Sequence, residues 1–418
     1  YNAADQIVVG RWGGEACLAA VGATSTITTL LTNIFVGLSI GGSVIISKKY
    51  GANDIPGIRK TSHTQVALGI ISGIAGCIVG QLACIPVLQL MGTPDDIMGL
   101  SELYLRIVLM GVPASMIYNF GAAILRAFGD TKRPLYILSV TGAVNIFLNL
   151  ILVIGFHMDV AGVAIATITA QYLSAIAIMY VLMFSDAPYK IKLREIKVYG
   201  SETKQIAAIG IPTAIESSVF TLSNMVVQSA INSFGKSVIA GRAAATSIES
   251  VVHAGMNSFH HASVTAVGQN YGAKQEKRVY KTIGVGVLCS TVVGVVLGGL
   301  IYVFGKPLLT LYTDSAKAIE AGMVYITICG LPYFLCGIMN VMAGTLRGLG
   351  YSRVPAINSL VCTCGFRILW VMFILPFRHS IDFLFLCWPV SWLMVIVANG
   401  IYFMIIRKNV MKKMYEQQ

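Results

Sequence analysis

The side chains with the most chemistry to offer carry charge inside apolar stretches: Asp5, Arg106, Glu216, Glu249 and Arg367, with His253, His260 and His261. Charge inside a bilayer is costly, so an ionisable residue in such a place is a functional candidate by default. Asp5 is the most informative. It sits five residues before Gly10, where its apolar stretch ends, and so lies roughly 8 Å below that end at about 1.5 Å per residue. Asn149 is seven residues before Phe156 and Thr167 seven after Val160, which sets both about 11 Å deep from the same side. Asn145 lies one turn from Asn149 on the same helix face. A carboxylate and three neutral polar side chains from three segments thus share a depth, the arrangement of a cation site for sodium or a proton. Taken singly, Asn145 and Thr167 serve equally well as hydrogen-bonding glue between helices.

The second half of the chain offers a looser set. Glu216 lies about eleven residues into its apolar segment and Arg367 at a similar depth, so the two can pair. Glu249 and His253 stand four apart on one face, as either a titratable pair facing a cavity or two packing contacts. Gln228 and Asn232, again one turn apart, are either substrate hydrogen-bonders or helix glue. His260 and His261 have no companion carboxylate and carry no assignment. The nine cysteines lie mostly in apolar runs without zinc or redox spacing, and they pack as small hydrophobes. Neither a Ser/His pair, nor two Asp, nor a histidine cluster forms a catalytic constellation, so the chain reads as no enzyme and needs no cofactor.

Positioning these groups is the task of membrane helices. Of 418 residues, 56% are hydrophobic and 11% charged, and the mean hydropathy is +0.75. A soluble domain carries roughly 25% charged residues, so too few charges are present to cover a water-facing surface. A helix needs about 20 apolar residues to cross the hydrocarbon core. By that measure the chain divides into twelve spans, 1–10, 19–47, 61–90, 99–125, 135–156, 160–184, 205–232, 240–269, 280–304, 318–345, 355–377 and 382–406. The first is too short to span, and the chain reads as a fragment that lacks its extreme N-terminus and starts inside a helix. The polar stretch 185–204 reads as a linker between bundles 1–184 and 205–406, and 407–418 as a basic tail.

Twenty-two of the 30 Lys and Arg residues fall in alternate loops and the tail. The positive-inside rule then places those loops and the C-terminus in the cytoplasm of a multi-pass plasma-membrane protein. The net charge of +12 is thereby an orientation signal, and no nucleic-acid partner is expected.

The halves repeat. Tyr50-Gly51-Ala52 recurs as Tyr271-Gly272-Ala273, Lys60-Thr61 as Lys281-Thr282, and Leu125-Arg126, Gly129 and Pro134 as Leu346-Arg347, Gly350 and Pro355, all at a shift of 221. Six spans per half, an even number, make the halves parallel repeats, with a substrate cavity expected between them. Pro113, Pro332 and Pro389 lie inside spans and can kink them.

The stretches YNAADQIVVGRW, LAAVGATS, SKKYGAND, LRAFGDTKRP, VNIFLNLIL, GVAIAT, QSAINSFG, VGQNYGAKQEKR and LRGLGYSRVP together resemble the signatures of the MATE (multidrug and toxic compound extrusion) transporter family over essentially the whole chain. The resemblance implies an all-α integral membrane fold of twelve helices in two six-helix bundles with a V-shaped cavity. It also implies a monomeric exporter of small amphiphilic organic cations, driven by inward flow of sodium ions or protons. In proton-linked members of that family the acidic residue of the first helix, here Asp5, is joined by an Asn and an Asp on the fifth helix and a Thr on the sixth. Asn145, Asn149 and Thr167 match those positions, with Asn149 in place of the second Asp. The sodium-linked subgroup uses acids on the seventh and tenth helices; Glu216 falls about one turn early and Cys336 stands near the tenth-helix position, so that site does not carry over. The alternative within the superfamily is a lipid-linked saccharide flippase, which would need basic residues lining the cavity.

Overall fold

The computed structural model describes residues 14–416 together with Asp5, Val8, Val9 and Trp12. The rest of the expected span 1–10, and Arg11, lie outside the described residues. Long apolar runs without strand periodicity give helices throughout. The first half holds α1 (Gly14–Gly51), α2 (Ile55–Leu90), α3 (Asp95–Met110), α4 (Val112–Ala127), α5 (Lys132–Asn149) and α6 (Asp159–Phe184). The second holds α7 (Gly200–Asn232), α8 (Lys236–Gly272), α9 (Glu276–Val303), the short α10 (Gly305–Thr310), α11 (Ala316–Tyr325), α12 (Tyr333–Gly348), α13 (Arg353–Ser359), α14 (Phe366–Leu369), α15 (Ile381–Phe385) and α16 (Cys387–Glu416).

Among the described residues eight helices are long and apolar enough to cross a membrane, and ten spans result when each of two bent pairs counts as one. The bends, 43° between α3 and α4 and 41° between the α11 segment and α12, fall at Gly111-Val112-Pro113 and Gly330-Leu331-Pro332, where proline removes a backbone donor. Helix α8, expected as a span over 240–269, has the length at 37 residues but is more polar than these eight. Arg242, Glu249 and three histidines make it the most polar of the long helices. The stretch 407–418 continues α16 as far as Glu416, with Gln417 and Gln418 outside the described residues.

The repeat seen in sequence is also a repeat of backbone. Helices start at Ile55, Asp95, Val112 and Lys132 in the first half and at Glu276, Ala316, Tyr333 and Arg353 in the second, each pair 221 apart. Positive φ recurs at the same shift, in Asn53 and Lys274 and in Gly129 and Gly350. Close helix crossings recur as well. A Cβ on Gly73 would lie 2.7 Å from Pro113 Cα, and one on Gly294 would lie 2.5 Å from Phe334 Cα, so each crossing requires glycine. Replacing Gly294 by Val is expected to lower the melting temperature in detergent, since overpacking costs about 1–3 kcal/mol. Gly284→Val on the same helix, where a Cβ meets nothing within 4 Å, is expected to leave it unchanged.

The chain forms two compact units, the described residues up to Ile46 with Asp54–Gly210, and Ser47–Asn53 with those from Ile211 on. In the first, the stretch read as a linker is fastened down. Tyr189 and Ile191 are buried, Glu195 pairs with Arg59 at 2.7 Å, and the Lys192 N–H donates to His63 Nε2 at 3.1 Å. The second unit is built around a cluster that includes Tyr325, Tyr333, Phe385, Trp388 and Trp392.

Candidate functional site

Asp5 is fully buried in the first unit, as are Asn145 and Asn149, and Thr167 is 3% exposed. Val8 and Val9, one turn beyond Asp5, pack in a cluster with Tyr104, Val160 and Val163 and hold its segment against α3 and α6. The i, i+4 spacing on α5 presents both asparagines to one carboxylate. Asn149 Nδ2 donates to Asp5 Oδ1 at 2.8 Å and Asn145 Nδ2 reaches the same oxygen at 3.4 Å. Thr167 Oγ1 donates to Asp5 Oδ2 at 2.8 Å and in turn accepts from Asn145 Nδ2 at 3.3 Å. Directly after Asn149 the α5 helix widens into a π-helical turn over Leu150–Gly155, a distortion common at functional sites.

The inventory of donors and acceptors is unbalanced toward acceptors. Asn145 Oδ1 and Asn149 Oδ1 are buried without a hydrogen-bond partner among the described residues. Two bare amide oxygens near a carboxylate form an environment for a small cation, because hard cations take oxygen ligands, and an amide that turns over would offer its oxygen to a proton on the carboxyl. No group of three or more His, Cys, Asp or Glu suited to a metal ion occurs among the described residues. The site is thus one carboxylate with neutral oxygens.

Beside it lies a cavity of about 60 Å³ lined in part by Thr167, Tyr104, Ser115 and Gln171, room for a few waters. Gln171 Oε1 is buried and also lacks a partner. Gln171 is one turn from Thr167, and the same i, i+4 rule that linked Asn145 to Asn149 would have found it.

The second unit arranges its charges differently from the pairing expected. Glu216 forms its ion pair with Arg347, and both side chains are mostly buried. Arg347 lies beyond the expected span 318–345, but α12 runs on to Gly348 and turns this side chain inward. Its Nη1 donates to His260 Nε2 at 3.1 Å, and His260 Nδ1 contacts the Asn340 carbonyl at 3.1 Å. Because arginine only donates, His260 is held as the neutral Nδ1–H tautomer, so the unassigned histidine belongs to this network. Arg367 lies eight residues along from Glu216's level on α7, roughly 12 Å away, where Nη1 donates to Asn224 Oδ1 at 3.2 Å and Nε to Ser391 Oγ at 3.1 Å.

Glu249 and His253 each take a tyrosine as partner. The Tyr325 hydroxyl donates to Glu249, and His253 Nδ1 lies 3.0 Å from the Tyr333 hydroxyl. Gln228 Nε2 donates to Asn232 Oδ1 at 2.8 Å, and its Oε1 accepts from Arg242 in the second turn of α8. At the 221 shift Asp5, Asn145, Asn149 and Thr167 correspond to Val226, Phe366, Trp370 and Trp388, so the second half carries no copy of the first cluster.

A model of the MatE family matches residues 1–151 and again 212–372, one match in each half. The chain belongs to the MatE family. Its relatives include the probable multidrug resistance protein YoeA of Bacillus subtilis (strain 168), 26% identical over 370 residues that cover 87% of this chain and 80% of YoeA. The probable multidrug resistance protein NorM of Thermotoga maritima is 26% identical over 365 residues, covering 86% of this chain and 78% of its own. A solved structure described as the outward-facing conformation of a multidrug resistance MATE family transporter of the MOP superfamily superposes with a TM-score of 0.89. It is 22% identical and covers 99% of this chain and 92% of its own; at that identity the likeness speaks for the fold. This MATE chain is therefore a multi-pass membrane transporter with the twelve-helix fold of its family, a class that carries solutes and has no enzymatic cofactor.

Proposed function

We propose that the chain is a secondary antiporter that exports organic cations and other amphiphiles by alternating access, driven by entry of a proton or a sodium ion at Asp5. The single observation that carries this reading is the buried Asp5 carboxylate, held by Asn145, Asn149 and Thr167 with two amide oxygens left unpaired among the described residues. A cation arriving there neutralises the charge and takes up the free oxygens. A ligand shifts a two-state equilibrium only through different affinities for the two states, so the ion must bind one state better and substrate the other. The multidrug resistance relatives support the substrate class. Bundles 1–184 and 205–406 would be the moving parts of a monomer, with the basic loops and C-terminus in the cytoplasm.

The test is transport of a cationic dye by purified protein in liposomes, with sodium and proton gradients imposed separately. Transport that follows one gradient identifies the coupling ion; transport indifferent to both would sink the reading. Asn149→Asp adds a second carboxylate and is expected to lower the half-saturating ion concentration roughly tenfold. That is a modest part of the ~4 kcal/mol between unit charges 4 Å apart at an effective dielectric constant near 20. An unchanged ion dependence would place Asn149 outside the binding shell.

A further inference from the structure

Between α8 and α9 in the second unit lies an open groove of about 500 Å³. Phe259, Ala262 and Ala266 on α8 and Val285 and Cys289 on α9 give it a mainly apolar wall, and Arg278 and Lys281 stand at one end. At that end Asn270 Nδ2 donates to Thr282 Oγ1 at 3.2 Å and ties the helices together. From there Phe259 is eleven residues along α8 and Cys289 seven along α9. The apolar wall therefore runs about 10–16 Å at 1.5 Å per residue, close to the ~15 Å depth of one hydrocarbon leaflet.

The repeat shows what the counterpart in the first unit holds. Lys281, Thr282, Val285 and Gly286 correspond to Lys60, Thr61, Thr64 and Gln65. There the chain's own segment 195–202 occupies the place. Thr61 Oγ1 donates to Glu202 Oε2 at 2.7 Å, the Tyr199 N–H donates to Thr64 Oγ1 at 3.4 Å, and Arg59 pairs with Glu195 at 2.7 Å. Gln65 also reaches across, its Nε2 donating to the Ser39 carbonyl at 3.0 Å. The first groove is thus filled by an amide side chain and closed by a segment that brings two carboxylates. In the second, Gly286 leaves the space that Gln65 fills, and Arg278 and Lys281 make no ion pair among the described residues.

We propose that this groove binds an anionic phospholipid, its phosphate at Arg278 and Lys281 and an acyl chain along the wall toward Phe259 and Cys289. Basic residues at a membrane surface attract anionic headgroups, and basic pockets between spans are the usual place for them. A soluble anion would leave the apolar wall uncovered. An organic cation would meet the basic pair with like charge, and a peptide would carry unpaired backbone groups into hydrocarbon.

Native mass spectrometry of the purified full chain, released from micelles doped with phosphatidylglycerol or phosphatidylcholine, tests the site. At about 1 kcal/mol per basic residue, the wild type is expected to retain phosphatidylglycerol roughly thirtyfold better. Arg278→Gln with Lys281→Gln, both at the surface, is expected to abolish the preference. Gly286→Gln installs the residue found at the first-half position and is expected to weaken retention with both charges kept. Its Cβ would lie 3.2 Å from Val341 Cγ1, a contact that a small side-chain adjustment relieves, and a monodisperse elution profile checks that each variant is folded. Equal retention of the two lipids, a preference that survives the double substitution, or retention unaffected by Gly286→Gln would overturn the proposal. So would displacement of phosphatidylglycerol by equimolar glycerol 3-phosphate, which would mark a site for the bare anion.

Discussion

Asp5→Asn is expected to abolish ion-driven transport while leaving the protein folded. An amide cannot take up a proton and presents no charge to a sodium ion, so the gradient loses its handle on the conformational equilibrium. Moving a two-state system from 1:99 to 99:1 requires about 5.5 kcal/mol of differential binding, and with the charge gone little of that remains. Gradient-driven dye transport should fall at least about tenfold, the loss that accompanies only ~1.4 kcal/mol. Stability should be preserved for a reason specific to this site. The new amide keeps an oxygen for the Thr167 hydroxyl, and where its N–H groups replace Oδ1 the Asn145 and Asn149 amides, which now donate there, can turn over to present the oxygens that lack partners among the described residues. Removing a buried charge also removes a desolvation cost. The thermal unfolding temperature in detergent should therefore hold or rise as transport disappears. Coupled transport at the wild-type rate would take Asp5 out of the mechanism; loss of folding together with transport would make its role structural.

The first-unit cluster was legible in sequence because its geometry is nearly one-dimensional. Depth along a span follows from counting residues at a fixed rise, and which residues share a face follows from the i, i+4 rule. Asp5, Asn145, Asn149 and Thr167 need little more than that to be brought to one level. The repeat was legible for a similar reason, since one shift relates helix starts, positive-φ turns and the Gly73 and Gly294 crossings.

What could not be read is the direction in which a side chain points once helices pack. Arg347 stands in a basic loop motif and counts naturally toward the positive-inside tally, yet its side chain is 6% exposed. Its burial is decided by the extra turn of α12 and by Glu216 on another helix, a tertiary fact. The tyrosines that take up Glu249 and His253 are likewise some 76 and 80 residues away in the chain. Helix α8 shows the same limit in composition, since its polar side chains find partners inside the unit and it needs less apolarity than an isolated span.

Removing one member of the Glu216–Arg347 pair is expected to destabilise the second unit by about 3–5 kcal/mol, the cost of leaving a buried charge uncompensated. Arg347→Met should show it most clearly, because Glu216 then faces an apolar side chain and His260 loses the donor to its Nε2. Replacing both, Glu216→Leu with Arg347→Met, should recover most of the loss, since a buried pair exchanged for apolar side chains of similar volume is commonly neutral or stabilising. A double-mutant cycle on thermal or denaturant unfolding in detergent measures the coupling directly. Single substitutions that each cost under ~1 kcal/mol and add without coupling would mean the pair is screened like a surface bridge. The two single substitutions, Glu216→Leu and Arg347→Met, and the double variant also separate structure from transport. A pair whose charges cancel at rest holds no free negative site for an arriving cation, whereas the hydrogen-bond partners of the Asp5 carboxylate among the described residues are neutral. The double variant should accordingly keep the ion dependence of the wild type even where its stability differs. A changed ion dependence would instead give Glu216 a share in coupling and require that Arg347 release it during the cycle.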